Sequence, residues 1–166
     1  LNNTMLRNEI LYFCYLGTYI ERFDNTARIL DVRHFLFLPN TMIRNDIIGE
    51  TQWEAILRSL SAYRAYMWQN QNELSAINIS NFLLFDEKMP RSLKFSLDQI
   101  LNYIKLLKKN KVKDSVSFNL GLSIQSKLVS RKKNYNYDFG LHNYLDRLIK
   151  SNIKLGNLIE EEFNFH

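Results

Sequence analysis

Residues that interrupt helices are scarce in this sequence, with only 5 glycines and 2 prolines among its 166 residues. A protein built from many strands needs a turn about every 8–12 residues, and such turns are rich in Gly and Pro. The scarcity therefore favours long helices joined by few loops. A chain of this length is expected to form a single domain, residues 1–166, around one hydrophobic core.

The first predicted helix runs from about Thr4 to about Phe37. Its apolar residues recur in steps of four, three, four and three, which is the spacing of one helix face. This apolar stripe consists of Leu16, Ile20, Phe23, Ala27 and Leu30. Pro39 closes the helix because a helix usually ends before proline, and residues 39–50 are predicted as a loop.

Thr51 and Glu54 predict the start of the second helix. They match a capping box, in which each side chain bonds an orphan backbone amide of the other residue. The polar run at residues 69–73 is expected to end this helix. Residues 75–85 predict a third, shorter helix.

Three more helices are predicted in the remainder of the chain. Pro90 suits the first turn of the fourth helix, where a missing amide costs nothing. The apolar residues within 114–132 occupy alternate positions, as in a strand, but they also form one row along a helix. A lone strand would have no pairing partner, so a helix is predicted. The last helix begins near Asp138, and Gly156 is expected to allow a neighbouring helix to approach closely. The predicted fold is an all-α bundle of about six helices, two of them long.

The net charge of +5 is modest, and the positive residues fall in two runs. One run is Lys105, Lys108, Lys109, Lys111 and Lys113, and the other is Arg131, Lys132 and Lys133. Both flank predicted helix ends, where cations complement the negative end of the helix dipole. A nucleic-acid surface interleaves basic and aromatic residues, and only the second run has tyrosines nearby. Nucleic-acid binding is therefore not the favoured function.

The side chains that hold metals or form disulfides are few. Cys14 is the single cysteine, which excludes an internal disulfide and a cysteine-built zinc site, and its apolar neighbours suggest an inert core thiol. The three histidines, His34, His142 and His166, lie far apart, and no Glu-x-x-His pair occurs. No metal or cofactor is expected.

No apolar run is long enough to span a membrane, and a cytoplasmic location is expected.

The most distinctive polar residues lie on the first helix, beside its apolar stripe. Glu21, Asn25 and Arg28 stand at i, i+4 and i+7 and therefore share one face. Because Glu21 follows Ile20, the row is expected at the edge of the core or inside it. It can be a buried structural clamp, a ligand site in which arginine grips an anion, or a solvated face. The spacing favours the clamp and makes the solvated face the weakest of the three.

Two further polar groups are candidates for the same cluster. Arg91 and Ser92 are expected in the first turn of the fourth helix, where an arginine is disfavoured by the helix dipole. Arg91 should therefore have an acidic partner, and the candidates are Glu21, Asp24, Asp31 and Asp86. His142 is expected on the opening turn of the last helix, as a histidine at the edge of the core.

Four segments, in this order, resemble the bacterial alpha-E domain family. They are "TMLRNE…YLGTYIERFDNTARILDVRHFLFLP", "QWEAILRSLSAYRAY", "FLLFDEKMPRSLKFSLDQI" and "GLHNYLDRL". The resemblance is to the C-terminal half of such proteins, and it is weakest at residues 108–138. The family pattern falls on Glu21, Arg22, Asn25, Ala27, Arg28, Trp53, Pro90, Arg91, Ser92 and Gly140 to His142. The chain departs from the pattern at Thr18, where an arginine is common.

This resemblance implies a helical protein whose biochemical function is not settled. Family members are typically encoded beside ATP-grasp-type and transglutaminase-like proteins, a neighbourhood that suggests peptide synthesis or modification. The leading hypothesis is a non-catalytic partner or scaffold of such a system. The alternatives are an enzyme that uses Glu21 as acid or base, with Arg22, Arg28 or Arg91 holding an anion, and a basic nucleic-acid-binding module.

Overall fold

The computed structural model describes residues 8–36, 47–70, 74–133 and 140–164. Within these ranges the chain forms seven α-helices, one short 3₁₀ helix and no strand. The helices are α1 (Glu9–Leu36), α2 (Ile47–Ser59), α3 (Tyr63–Gln69), α4 (Ala76–Phe85), α5 (Leu93–Lys108), α6 (Val116–Lys133) and α7 (Leu141–Phe163), and the 3₁₀ helix (Lys109–Asp114) joins α5 to α6. The predicted all-α class is confirmed.

The first helix, α1, packs between α5 and α7 and is antiparallel to both. Phe13 near its start contacts Phe163 at the end of α7, with ring centroids 5.0 Å apart. Further along, the Ile20 carbonyl accepts a hydrogen bond from Asn152 at 3.1 Å. On the other side, Glu9 pairs with Lys109, which directly follows α5, at 3.2 Å.

The remaining two sides of the bundle are also antiparallel contacts. Gln125 of α6 donates a hydrogen bond to Asp98 of α5 at 2.7 Å. Ser117, at the start of α6, donates one to Glu162, at the end of α7, at 2.6 Å. Helices α1, α5, α6 and α7 therefore form an up-and-down four-helix bundle.

The apolar stripe of α1 fills the bundle core as predicted. Leu16, Phe23, Ala27 and Leu30 are all at most 2% exposed, and Ile20 is partly buried. Helices α2, α3 and α4 extend this core rather than forming a separate one, because the same cluster of buried residues includes Trp53, Leu57, Tyr66, Ile79 and Leu83. Helix α4 packs directly on α5 and α6.

The predicted second helix is wrong at its start and in its continuity. Helix α2 begins at Ile47, so Thr51 lies inside it and the expected capping box does not start it. The helix then ends at Ser59, and the chain turns through Ser61, whose φ is 52°. Leu60 and Ala62 on either side are fully buried, which stabilises this break and divides the predicted helix into α2 and α3.

The start of α5 also differs from the prediction, because Pro90 lies in the turn before the helix. Ser92 is the N-cap, and its Oγ accepts a hydrogen bond from the Phe95 amide at 3.0 Å. A serine oxygen that satisfies an orphan amide is a stronger start signal than a proline two residues earlier.

Residues 116–133 form α6, which confirms a helix rather than a strand. Ile124 and Leu128 are buried, whereas Leu122 and Val116 are exposed. The close approach expected at Gly156 occurs instead at Gly121, where an added Cβ would lie 2.7 Å from the Leu101 side chain.

Two other features of the chain concern its surface. Cys14 is exposed rather than a core thiol, because it lies on the side of α1 away from the apolar stripe. Within the described ranges, no helix is long and apolar enough to cross a membrane.

Candidate functional site

The polar row of α1 faces solvent. Glu21, Asn25 and Arg28 are all exposed, so their expected place at the edge of the core or inside it is wrong. The stripe is centred on Phe23 and Leu16, and Ile20 lies at its rim. A position about 100° beyond the rim points away from the core.

Arg28 pairs with Asp24 rather than with Glu21. The Arg28 Nε donates to Asp24 Oδ2 at 2.6 Å, and 54% of the Arg28 side chain remains exposed. The hydrogen bond to Asp24, together with its negative charge, raises the pKa of Arg28 above the ordinary value. An exposed pair one turn apart on a helix contributes little stability, so it is not the buried clamp that the spacing suggested.

Arg22 follows Glu21 in the chain but lies on a different side of the helix. Its guanidinium carbon lies 5.2 Å from the centre of the Tyr19 ring, which is a cation–π contact. Tyr19 is itself stacked on Tyr103 of α5, with ring centroids 6.1 Å apart and ring planes inclined by 16°. Neighbouring positions on a helix diverge by about 100°, so Arg22 lies on the α5 side of α1 and Glu21 points outward.

Arg91 and Ser92 lie in the turn before α5, not in its first helical turn as expected. Ser92 is fully buried, and its hydroxyl also donates to the carbonyl of Asp86. The Arg91 carbonyl accepts a hydrogen bond from Oγ1 of buried Thr26 at 2.8 Å. This bond ties the turn to α1.

The expected ion pair of Arg91 does not occur, because among the described residues no carboxylate lies within ion-pair distance of its side chain. Asp24 pairs with Arg28, and Asp31 lies against His142. Asp86 Oδ1 accepts hydrogen bonds from the amides of Lys88 and Met89, and its Oδ2 accepts one from Gln69.

His142 lies on the opening turn of α7, as predicted, and contacts Asp31 on α1. The distance between His142 Nδ1 and Asp31 Oδ1 is 2.6 Å, and the two side chains are 39% and 20% exposed. The sequence predicts Asp31 as a candidate partner for Arg91, whereas the structure places it against His142. The antiparallel pairing of α1 and α7 brings these two residues together, and no spacing within α1 indicates it.

The seven predicted site residues therefore divide among three separate locations. Arg22 lies at the α5 side of α1, next to the turn that carries Arg91 and Ser92. The row Glu21, Asn25 and Arg28 occupies the outer face of α1, and His142 meets Asp31 at the α7 side.

The most densely bonded polar cluster in the described part of the chain was not predicted. Glu162, near the end of α7, accepts hydrogen bonds from the hydroxyls of Ser115 and Ser117 at 2.8 and 2.6 Å. It also accepts from the amides of Val116 and Ser117 at 2.5 and 3.3 Å. Lys108 Nζ lies 3.6 Å from its Oε2 atom. Glu162 thus caps the start of α6 from another helix.

The environment of Glu162 perturbs its pKa in two directions. Burial favours the neutral acid and would raise the pKa, but the hydrogen bonds from Ser117, Ser115 and the two amides lower it. The net result is a pKa below the ordinary value, so the group is a carboxylate at neutral pH. The sequence signal for this cluster is Ser115, an N-cap residue type just before an apolar helical row.

An open pocket of about 480 Å³ lies elsewhere, and none of the seven predicted residues lines it. It is bordered by Trp68, which is 91% exposed, and by Asp86, Lys88 and Lys132. In the ranges that the structure describes, no group of three or more His, Cys, Asp and Glu side chains is placed to hold a metal ion.

Comparison with known proteins gives one match. A family model described as "a predicted alpha-helical domain with a conserved ER motif" matches residues 1–163. Glu21–Arg22 is the only Glu-Arg dipeptide in the chain, so it supplies that motif. The match covers nearly the whole chain, which corrects the expected restriction to the C-terminal half of a family protein. No curated protein and no solved structure matches this chain.

Proposed function

Because the chain belongs to the Alpha-E family, we propose that it is a non-catalytic partner or scaffold in a peptide-synthesis or peptide-modification system. Its binding partner in this proposal is an ATP-grasp-type protein, and a transglutaminase-like protein acts in the same system. The genomic neighbourhood that the family resemblance implies supports these partners. The proposed setting is the bacterial cytoplasm.

The observation that carries the proposal is the exposure of Glu21. The family description calls the ER motif conserved, yet its carboxylate forms no ion pair among the described residues. A conserved exposed charge with no internal partner is better explained by binding than by stability. Asn25 and Arg28 extend the same exposed face, and α5 and α7 hold α1 in place behind it.

The test is binding between this protein and an ATP-grasp-type protein from the same organism, measured by calorimetry. Glu21→Arg reverses the charge at the centre of the proposed surface and is expected to weaken binding about tenfold or more, because like charges at an interface repel. Glu160→Arg makes the same charge change at an exposed residue of α7 and should leave binding unchanged. Absence of binding by the unmodified protein, or equal binding by Glu21→Arg, would refute the proposal.

A second candidate function, an enzyme, is favoured by the His142–Asp31 contact. His142 Nδ1 lies 2.6 Å from the Asp31 carboxylate. In many hydrolases a carboxylate orients the histidine that acts as general base in this way. The ring is also accessible, with 39% of the His142 side chain exposed.

The two candidates predict different results for His142→Gln in the reconstituted system. An enzyme would lose product formation by about a hundredfold or more while still binding its partner. A scaffold would keep both binding and product formation, since Asp31, which His142 contacts, lies ten residues from Glu21 along α1. Glu21→Gln, assayed in parallel, tests the acid–base role suggested by the sequence.

A further inference from the structure

Arg22 is a half-buried cation that has no carboxylate partner among the described residues. Its guanidinium carbon lies 5.2 Å from the centre of the Tyr19 ring. Stacking leaves the N–H groups at the edge of the planar guanidinium free to bond an anion. A buried or half-buried charge usually has a partner, so the missing anion is the feature to explain.

Arg91 is a second half-buried arginine at the same junction. Thr26, one turn after Arg22 on α1, donates to the Arg91 carbonyl at 2.8 Å. Its side chain likewise has no acidic partner in the described ranges. The carboxylate of Asp98, further along α5, bonds Lys94 and Gln125. Two arginines with no anionic partner in the described ranges therefore lie close in the fold to the α1–α5 contact at Thr26.

Arg22 lies on a cluster of aromatic rings. Tyr19 packs between Arg22 and two rings of α5, Phe95 at 6.0 Å and Tyr103 at 6.1 Å. The Phe95 amide is in turn bonded by Ser92, the residue next to Arg91. A cation held in one orientation loses little freedom when it binds, which is what a preformed site requires.

We propose that Arg22 and Arg91 form a binding site for an oxyanion, either a carboxylate or a phosphoryl group. Arg22 supplies a planar pair of donors, as arginine does for both groups. The amino-terminal end of α5 lies beside Arg91 and adds to the positive potential. The site gives the arginine of the ER motif a role separate from that of Glu21, and it does not depend on the proposed partner.

The test is a titration of the isolated ¹⁵N-labelled protein with inorganic phosphate and, separately, with acetate, followed by NMR at constant ionic strength. Shifts are expected in the Arg22 and Arg91 side-chain signals and in the amides around Thr26. Arg22→Ala and Arg91→Ala should each weaken binding about tenfold or more, the usual size for a charge-assisted hydrogen bond. Arg22→Lys, which keeps the charge but not the planar donors, should weaken it severalfold.

Arg64→Ala is the matched control, because Arg64 is an exposed arginine on α3 and its loss removes the same charge elsewhere. Phosphate binding with no acetate binding assigns a phosphoryl ligand, and the reverse assigns a carboxylate. The proposal fails if neither anion shifts these signals, or if Arg64→Ala weakens binding as much as Arg22→Ala. Circular dichroism of each variant verifies that it is folded. If Arg22→Ala does not fold, Arg22→Lys and Arg91→Ala still test the proposal.

Discussion

Adjacent residues of one motif have different environments in this protein. Glu21 is exposed on the outer face of α1, whereas Arg22 lies half-buried on Tyr19. Helical spacing correctly predicted that Glu21, Asn25 and Arg28 share a face. The expected burial of these residues was wrong. Burial depends on where the neighbouring helices contact α1, and the spacing within one helix does not show which side they contact.

Glu162 yields a prediction about pH. Its pKa is lower in the folded state than in the unfolded chain, so its stabilising effect is complete above the unfolded value of about 4.5. That effect is lost as the pH falls through the lower, folded-state pKa. Glu162→Gln should therefore be less stable than the unmodified protein at pH 7, by roughly 1–3 kcal/mol, and the difference should shrink at pH 3.

Urea unfolding at the two pH values measures this effect. Glu161→Gln is the control, because Glu161 is the exposed neighbour on the same turn, and its substitution should change stability little at either pH. If Glu162→Gln lowers the free energy of unfolding equally at pH 7 and pH 3, that result would contradict the assigned role of the carboxylate.

At the scale of single elements, helix type and approximate extent were predictable, and helix starts were less so. The periodicity predicted α1, α5 and α7 because each has an apolar face of its own. For α6 the pattern fitted a strand equally well, and a helix was predicted because a lone strand would have no pairing partner. The break between α2 and α3 was missed, because it depends on burying Leu60 and Ala62 against other helices. No local signal outweighed the helical pattern there.

Two glycines within helices are expected to respond oppositely to alanine. At Gly156 a Cβ meets no atom within 4 Å, so Gly156→Ala should stabilise the protein by about 0.5–1 kcal/mol through the helix preference of alanine. At Gly121 the Cβ would lie 2.7 Å from buried Leu101. Overpacking costs about 1–3 kcal/mol, so Gly121→Ala should be less stable than Gly156→Ala by at least about 1 kcal/mol.

Chemical denaturation of the two alanine variants gives the comparison. Leu101→Ala removes the side chain that Gly121→Ala would strike, so in that background the Gly121 substitution should become neutral or stabilising. Equal stability of the Gly121 and Gly156 variants would show that α5 and α6 do not approach as closely as described.

At the scale of the whole molecule, the four-helix bundle and helices α2 to α4 share one hydrophobic core. Trp53 of α2 is 5% exposed, and it belongs to the same buried cluster as Leu16 of α1 and Leu155 of α7. A continuous core of this kind is expected to unfold in one cooperative step. The single domain predicted from chain length would have this property.

Trp68→Phe provides the means to measure this cooperativity. Trp68 is 91% exposed, and its removal leaves buried Trp53 as the only tryptophan and a reporter of α2 and its surroundings. The fluorescence of Trp53 and the helical circular dichroism signal should then have the same urea midpoint. Two separate midpoints would mean that α2 to α4 unfold independently of the bundle.

Residue spacing was enough to predict that this chain is helical and that the stripe on α1 is buried, and its motifs were enough to indicate the Alpha-E family. These properties follow from residue spacing and from motif identity, which are local. The packing of the helices places Glu21 toward water, brings the Arg91 carbonyl to Thr26, one turn from Arg22, and brings Asp31 to His142. The physical reason is that each of these depends on which helix packs against which side of α1, and that choice is made by the whole core.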